Sequence, residues 1–493
     1  MPLGEYIFLC VYFSILGLLC LYGVHRFHIA WLYLKHRESR PRKIELSTWP
    51  VVTIQLPLFN EKNVAQRLID SVCQLDYPKD RLEIQVLDDS TDNTVEVSRL
   101  AVAKWAEKGI DITHIHRTNR QGFKAGALEE GLVVAKGDFV AVFDADFIPP
   151  AAFLKQMMGY FSHDNIGMVQ ARWGHLNRDY SLLTKVQSIL LDGHFMIEHT
   201  ARHRSGRFFN FNGTAGIWRK SCIASAGGWH HDTLTEDLDL SYRAQLKGWK
   251  FVFVNDVIAP AELPIEMNAF KAQQHRWAKG SIQVGLKILP VILRSKQPMK
   301  VKIESMIHLT SNLSYILMLI MSLMMPFALR IRVEHGLYEV LLLDFPCFLG
   351  ATISVAAFYM LSQREVGRPW TVIFHVPAVL GIGIGLAINN SKAVLEALLG
   401  HDSPFVRTPK LAVEDGSGER VKPKTYRAKR NLLPIFELGF GCLYTYSVVY
   451  CLSETIWLAT PFMMLFQWGF LYVAFMGLFQ WSNVRAFKKR ARA

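Results

Sequence analysis

Long apolar runs at both ends of the chain, separated by residues 50–300 of ordinary mixed polarity, limit the fold more than any other feature. Crossing the ~30 Å hydrocarbon core of a bilayer takes about 20 mostly apolar residues. Segments 6–22 (continuing toward Leu34), 306–328, 340–361, 372–387, 432–452 and 456–479 approach or meet that length. The first has no basic stretch before it and no clear small-residue cleavage site, so it reads as an anchor and not as a removable signal. The pattern predicts one soluble domain held between membrane helices.

Charge orients these segments. The formal net charge is +13, and its location matters more than its size. Arg26, Lys35, Arg37, Arg40, Arg42 and Lys43 follow the first apolar run, and Arg485, Lys488, Lys489, Arg490 and Arg492 follow the last. Lys and Arg beside spans mark the cytoplasmic side. No basic stretch interleaved with aromatics suggests a nucleic-acid groove, so no nucleic-acid partner is expected. The loop after 372–387 holds Arg407, Lys410, Arg420, Lys422, Lys424, Arg427, Lys429 and Arg430. It belongs on the cytoplasmic side, which it would not reach if 372–387 crossed fully. Segment 371–400 is therefore expected to lie at the interface or re-enter. Asn390, Ser391, Lys392 and Glu396 interrupting Val394, Leu395, Leu398 and Leu399 form an amphipathic pattern that fits. Five spans follow, with the N-terminus outside and the C-terminus inside; a sixth ordinary span at 372–387 is the alternative.

The predicted divisions are 1–47, an anchor and basic linker; 48–300, the soluble domain with an interfacial helix; 301–370, a span pair; 371–431, the interfacial helix and its loop; and 432–493, a second pair with a basic tail. None of the seven cysteines forms a CxxC pair, which argues against a zinc site and suits a reducing compartment.

Within the soluble part, apolar runs at 51–56, 82–87, 112–116 and 139–143 alternate with helical patterns at 64–75 and 94–108. Strands alternating with helices predict an α/β fold with a mainly parallel sheet. Polar residues follow the strands, where such sheets place ligand sites: Asn60-Glu61, Asp88-Asp89 and Asp144-Ala145-Asp146.

Two carboxylates one residue apart suit Mg²⁺ or Mn²⁺ shared with a substrate diphosphate; a solvated turn is the alternative for Asp144 and Asp146. Asp88 or Asp89 can accept hydrogen bonds from a base or ribose, or cap the next helix with Ser90 or Thr91. Lys124, in the glycine-containing turn at 120–127, can approach phosphate. Thr235-Glu236-Asp237 opens a helix. Asp237 is the candidate general base, although capping and the helix dipole would also favour acids there. In Gln273-Gln274-His275-Arg276-Trp277, Arg276 can pair with a diphosphate and Trp277 offers a flat face to a sugar, or both can anchor an interfacial helix.

The order DD, DxD, TED, QxxRW in one chain resembles the processive family-2 glycosyltransferases: cellulose, chitin and hyaluronan synthases. Residues 55–288 look most like plant-type cellulose synthase-like synthases of mannan and xyloglucan backbones. The strings that carry this are IQVLDDSTD (84–92), FKAGALEEG (123–131), VAVFDADF (140–147), VQARW (169–173), FNGTAGIWR (211–219) and AQQHRWAKG (272–280). The resemblance implies a GT-A catalytic fold. Asn60, Glu61, Asp88 or Asp89, Lys124 and Asp144 would face the nucleotide, with Asp144 and Asp146 on the metal. Asp237 would be the base, Gln273 and Arg276 the diphosphate ligands, and Phe211, Asn212, Gly213, Thr214 and Trp277 the acceptor site. Phe405, Thr408 and Lys410 match a gating loop, FxVTxK, in which Arg407 replaces the usual valine and Pro409 stiffens the segment. No segment resembles a PilZ domain, and one span precedes the catalytic part where bacterial cellulose synthase has more.

The implied activity is inverting, processive synthesis of a β-glucan or β-mannan from UDP-glucose or GDP-mannose. It would take place on the cytoplasmic face of a bacterial inner membrane or a Golgi-type membrane, with export of the growing polysaccharide. The alternatives are a single transfer to a membrane lipid, as in ceramide glucosyltransferases, and a non-catalytic scaffold.

Overall fold

The computed structural model describes residues 1–401, 408, 410–415 and 432–490. A seven-stranded sheet occupies the middle of the chain. Its strands are β1 (Val52–Leu58), β2 (Leu82–Asp88), β3 (Asp111–His116), β4 (Phe139–Val142), β5 (Ile166–His175), β6 (Gly216–Arg219) and β7 (Lys250–Ala261), in the order β3-β2-β1-β4-β6-β5-β7. β1, β2, β3 and β4 run parallel. β6 is antiparallel to both β4 and β5, and β5 pairs in parallel with β7.

β1 and β2 are buried on both faces, which explains their near-continuous apolar runs. Their polar members pair in register: Thr53 Oγ1 donates to Glu83 at 2.5 Å and Gln55 Nε2 to Gln85 Oε1 at 3.1 Å. Two cores flank the sheet. Leu68, Ile69, Val72, Phe153 and Met157 pack one face; Leu128, Leu132, Trp218, Leu240 and Phe251 pack the other. The register sets Leu58 level with Asp88 and Asp88 level with His116, so the polar ends of these strands form one rim.

Among the described residues, four helices are long and apolar enough to cross a membrane: Leu3–His36, Met299–Glu334, Leu433–Ser453 and Thr460–Phe479. The second includes a 3-10 turn at Ser311–Leu313. A helix at Tyr338–Glu365 covers the expected 340–361 segment. The region expected to lie at the interface consists of a 3-10 turn, Trp370–His375, and helices Val376–Gly385 and Ala387–Leu398, bent by 43° at their junction. A ten-residue helix such as Val376–Gly385 is about 15 Å long, half a hydrocarbon core.

Glycines let this short helix approach the last one closely. A Cβ on Gly381 would meet the Trp468 ring at 2.5 Å, and one on Gly469 would meet Gly381 O at 2.2 Å. This small-residue crossing is the one membrane helices use. Ala387–Leu398 instead packs on the helix Met267–Arg294 that follows the sheet, where Glu396 lies 3.2 Å from His275 and 3.4 Å from Lys279. A buried pair, Lys271 Nζ to Glu437 Oε2 at 2.6 Å, ties the same helix to Leu433–Ser453.

Candidate active site

The half of the cleft expected to face the donor is made of strand ends. Asn60 sits at φ 57°, a left-handed conformation asparagine tolerates. It joins two loops: its N–H donates to Ser90 Oγ at 2.8 Å, and its Oδ1 accepts from Thr91 N–H at 2.8 Å. Glu61 beside it is buried.

Asp88 is fully buried and accepts from Ser90 N–H at 2.9 Å, with His114 Nε2 also 2.9 Å away. Burial alone would raise its pKa; His114 and Ser90 hold it below the usual carboxylate value. Asp89 accepts two bonds from Arg117, at 2.7 and 2.6 Å. Both carboxylates expected near the nucleotide at 88–89 are thus buried and bonded within the rim. Nor do they cap the next helix, whose N-cap position is Asn93, without a side-chain bond.

Arg117 also donates to Glu130 at 2.9 Å and to Phe123 O at 2.9 Å. It thereby fixes the turn at Gly122, φ 71°, that launches the helix Phe123–Val134 carrying Lys124. Nothing in a lone arginine after a strand marked it as the fastener of that turn.

Lys124 is the centre of the site. Its ammonium lies 2.6 Å from Asp144 Oδ1, 2.8 Å from Gly213 O and 3.9 Å from Glu236 Oε1. Asp144 N–H donates to Thr214 Oγ1 at 2.9 Å, so β4's end and the 211–214 loop are locked together. Asp146 pairs with the Lys410 ammonium. Residues 410–415 are strapped across the rim. Leu411 and Ala412 N–H donate to Glu262 at 2.8 and 2.9 Å, Asn63 Nδ2 to Lys410 O at 3.1 Å, and Arg67 pairs with Glu414 at 3.0 Å. The expected gating lysine thus reaches the DxD carboxylates. Thr408 is buried, and Phe405 lies outside the described residues.

The half expected to face the acceptor is made of helices and the 211–214 loop. Of the four loop residues expected to line it, Phe211 is buried in the core with its ring edge-on to Trp218, and Thr214 is buried under Asp144. An aromatic beside β6 is worth more in the core than in the cleft, which corrects that expectation for Phe211. Asn212 is partly exposed, and Gly213 adopts φ 79°. A Cβ on Gly213 would lie 3.1 Å from Asp237 Oδ2 and 3.4 Å from Lys124 Nζ. Only glycine fits both that conformation and that gap.

Asp237 opens the helix Glu236–Leu246 and accepts from Leu238 N–H at 2.8 Å. Burial, then the neighbouring Glu236 carboxylate, lifts its pKa to about 7 against the pull of Lys124. Thr235 holds the N-cap position, but its hydroxyl makes no capping bond. Its side chain faces Gly280, where a Cβ would meet it at 2.5 Å. That contact seats the 235–237 turn on the helix of Gln273, Arg276 and Trp277, all partly exposed. Burial lowers Arg276's pKa, while Glu236, Asp144, Asp237 and Asp146 draw on its positive charge.

The arrangement gathers two carboxylates at a strand end, two ammonium groups, a guanidinium and a carboxyl of raised pKa. Residues 50–280 match the family described as glycosyltransferase like family 2. Glucomannan 4-beta-mannosyltransferase 9 of Arabidopsis thaliana is 36% identical over 417 residues, covering 80% of this chain and 74% of that protein. The chain belongs to glycosyltransferase family 2, in its cellulose synthase-like group. Glucomannan 4-beta-mannosyltransferase 1 of Oryza sativa subsp. japonica is 47% identical over 271 residues, 54% of this chain and 51% of that protein. This family-2 chain spans about half the length of the first such curated relatives it matches. A solved mannosyltransferase of Pyrobaculum calidifontis, in complex with GDP-Man and Mn²⁺, superposes with a TM-score of 0.51 at 20% identity. It covers 79% of this chain and all of that one, which establishes the GT-A-type fold.

Proposed function

We propose that this protein polymerises a β-linked, mannan-type backbone from GDP-mannose by inverting transfer. The observation that carries the reading is the meeting of Asp237, Lys124 and Asp144 around Gly213. The plant relatives are 4-beta-mannosyltransferases, which favours mannose over glucose.

A divalent ion fits the donor set. Lys124 engages one oxygen of Asp144 and Lys410 one oxygen of Asp146, leaving each carboxylate a second hard oxygen outside those pairs. Asp144 and Asp146 would hold it, Mn²⁺ being the ion found with the Pyrobaculum enzyme. When bound, the ion supplies Lewis-acid neutralisation of the leaving diphosphate.

The chain's own residues do the rest. Asp237 accepts the proton of the acceptor hydroxyl as that oxygen attacks the anomeric carbon; with a pKa of about 7 it is matched to work near neutrality. Lys124 and Arg276 offer fixed positive charge to the departing diphosphate. Gln273 contacts the diphosphate, Trp277 stacks on the acceptor sugar, and the rim at Asn60, Glu61 and 88–89 bounds the nucleotide. In the membrane, segment 371–400 enters and turns back, and the catalytic domain faces the cytoplasm. The 43° break, the half-length helix and the Glu396 contacts to the catalytic helix support this. The product leaves through the spans.

Purified protein given radiolabelled GDP-mannose, UDP-glucose and other nucleotide sugars with Mg²⁺ or Mn²⁺, followed by linkage analysis, tests the proposal. A β-1,4-mannan from GDP-mannose is expected. Incorporation only from UDP-glucose would overturn the donor, and a monoglycosylated lipid as sole product would overturn polymerisation.

A further inference from the structure

Residues Gly193–His199 form a π-helix between the helices Leu182–Asp192 and Thr200–Arg204. Such turns are rare and need a cause. Here the wide turn changes which side chains share a face. In an α-helix, residues five apart point about 140° away from each other. The i→i+5 bonding of a π-turn stacks them, so His194 and His199 converge on one side chain, that of Asn212. His199 Nε2 lies 2.6 Å from Asn212 Oδ1, and His194 Nε2 lies 3.0 Å from Asn212 Nδ2.

The hydrogen-bonding pattern is self-consistent. His194 Nδ1 is 3.0 Å from Glu198 Oε2, so it carries the proton and leaves Nε2 to accept from the Asn212 amide. His199 donates through Nε2 and is kept neutral by burial and by the nearby positive charge of Arg202. The third tie is Asn212's own N–H, donating to Gln170 Oε1 at 3.1 Å. Behind Glu198, Arg202 Nη1 lies at 3.3 Å, and Arg202 Nε donates to the buried Glu304 at 2.9 Å. The π-turn is thereby braced against the first helix after the catalytic domain.

Asn212 precedes Gly213, whose carbonyl accepts from Lys124 and whose missing Cβ leaves room for Asp237. We infer that His194 and His199 are positioning residues: they clamp the Asn212 amide and so set the Gly213 turn against the base. Both act through Asn212 and not on the donor. The inference deepens the transferase reading above and rests on it.

The test uses the full chain in lipid nanodiscs with GDP-mannose and Mn²⁺. It compares wild type with His199→Phe, His199→Gln and Asn212→Ala. Misplacing a reacting group by about 1 Å costs on the order of 100-fold, so kcat should fall about 100-fold in H199F and N212A. Affinity for GDP with Mn²⁺, measured by calorimetry, should stay within about twofold, because neither histidine nor Asn212 is assigned to the donor and Lys124 keeps its bond to Asp144. Glutamine can donate from nearly the same place, so H199Q should recover most of the turnover. Wild-type kcat in H199F, equal loss in H199Q and H199F, or GDP affinity falling in step with kcat would each overturn the clamp. If the wild type is silent with GDP-mannose, the donor reading fails instead, and the same variants are scored with whichever of UDP-glucose or GDP-glucose is turned over.

Discussion

The two halves of the cleft handle their carboxylates in opposite ways. On the donor side every acid named has a partner within the rim: Asp88 has His114, Asp89 has Arg117, Asp144 has Lys124 and Asp146 has Lys410. On the acceptor side Asp237 stands beside another acid, Glu236, and its pKa rises to about 7. Environments that push like groups apart in pKa separate their roles. On the donor side of the proposed site the carboxylates sit in ion pairs, a setting that suits phosphate and metal. The acceptor side holds the carboxyl whose raised pKa suits the proposed proton transfer.

Four measurements would break or sharpen this contrast. Asp237→Asn should lower turnover by about 10²–10⁴-fold, the usual worth of general-base catalysis, while donor affinity changes little. Its melting temperature should not drop, because the substitution removes a carboxylate that burial disfavours. A variant with substantial turnover would reassign the base. Arg117→Met should do the reverse on the donor side. It strands Asp89, only 5% exposed, and should cost about 3–5 kcal/mol in chemical denaturation. Arg117→Lys should cost less but not nothing, since a single ammonium cannot reproduce the two-pronged contact.

Gly213→Ala joins the halves. At φ 79°, with Asp237 Oδ2 3.1 Å from the new Cβ, it should cost about 1–2 kcal/mol of stability. It should also displace Asp237, seen as lower kcat at unchanged affinity for GDP.

The smallest effect is in pH. As the proposed base Asp237 must be ionised, so turnover should rise through about pH 7. Stability should move the other way. A carboxyl raised from 3.8 to about 7 binds its proton more tightly when folded. Its contribution is full below about pH 4 and lost as pH rises past 7. Comparing wild type with D237N across that range isolates this term; identical profiles would show that the raised pKa has no thermodynamic consequence.

Much of the donor half was legible because strand ends write themselves into the sequence. An apolar run followed by acids, as at 84–89 and 140–146, gives both the strand and the location of the rim. Charge alone singled out segment 371–400 among the apolar runs, and the helices there are bent by 43° at their junction. The acceptor half was less so. The 235–237 and 273–277 motifs named the helices, but nothing in them shows Thr235 resting on Gly280. Phe211 and Thr214 read as acceptor-lining, yet packing buries both, and the partners of Asp88 and Asp89 come from β3 and the turn beyond it.

The sequence by itself determined the division into a soluble α/β domain and membrane helices, and the chemistry offered at each strand end. Hydrophobic period and charge are local quantities, and a bilayer or a sheet reads them residue by residue. Tertiary structure alone decided which charges neutralise one another, which carboxyl keeps its proton near neutrality, and that two histidines of a π-turn meet one asparagine. Those outcomes depend on distances between residues far apart in the chain, and a change of one or two ångströms would reverse them.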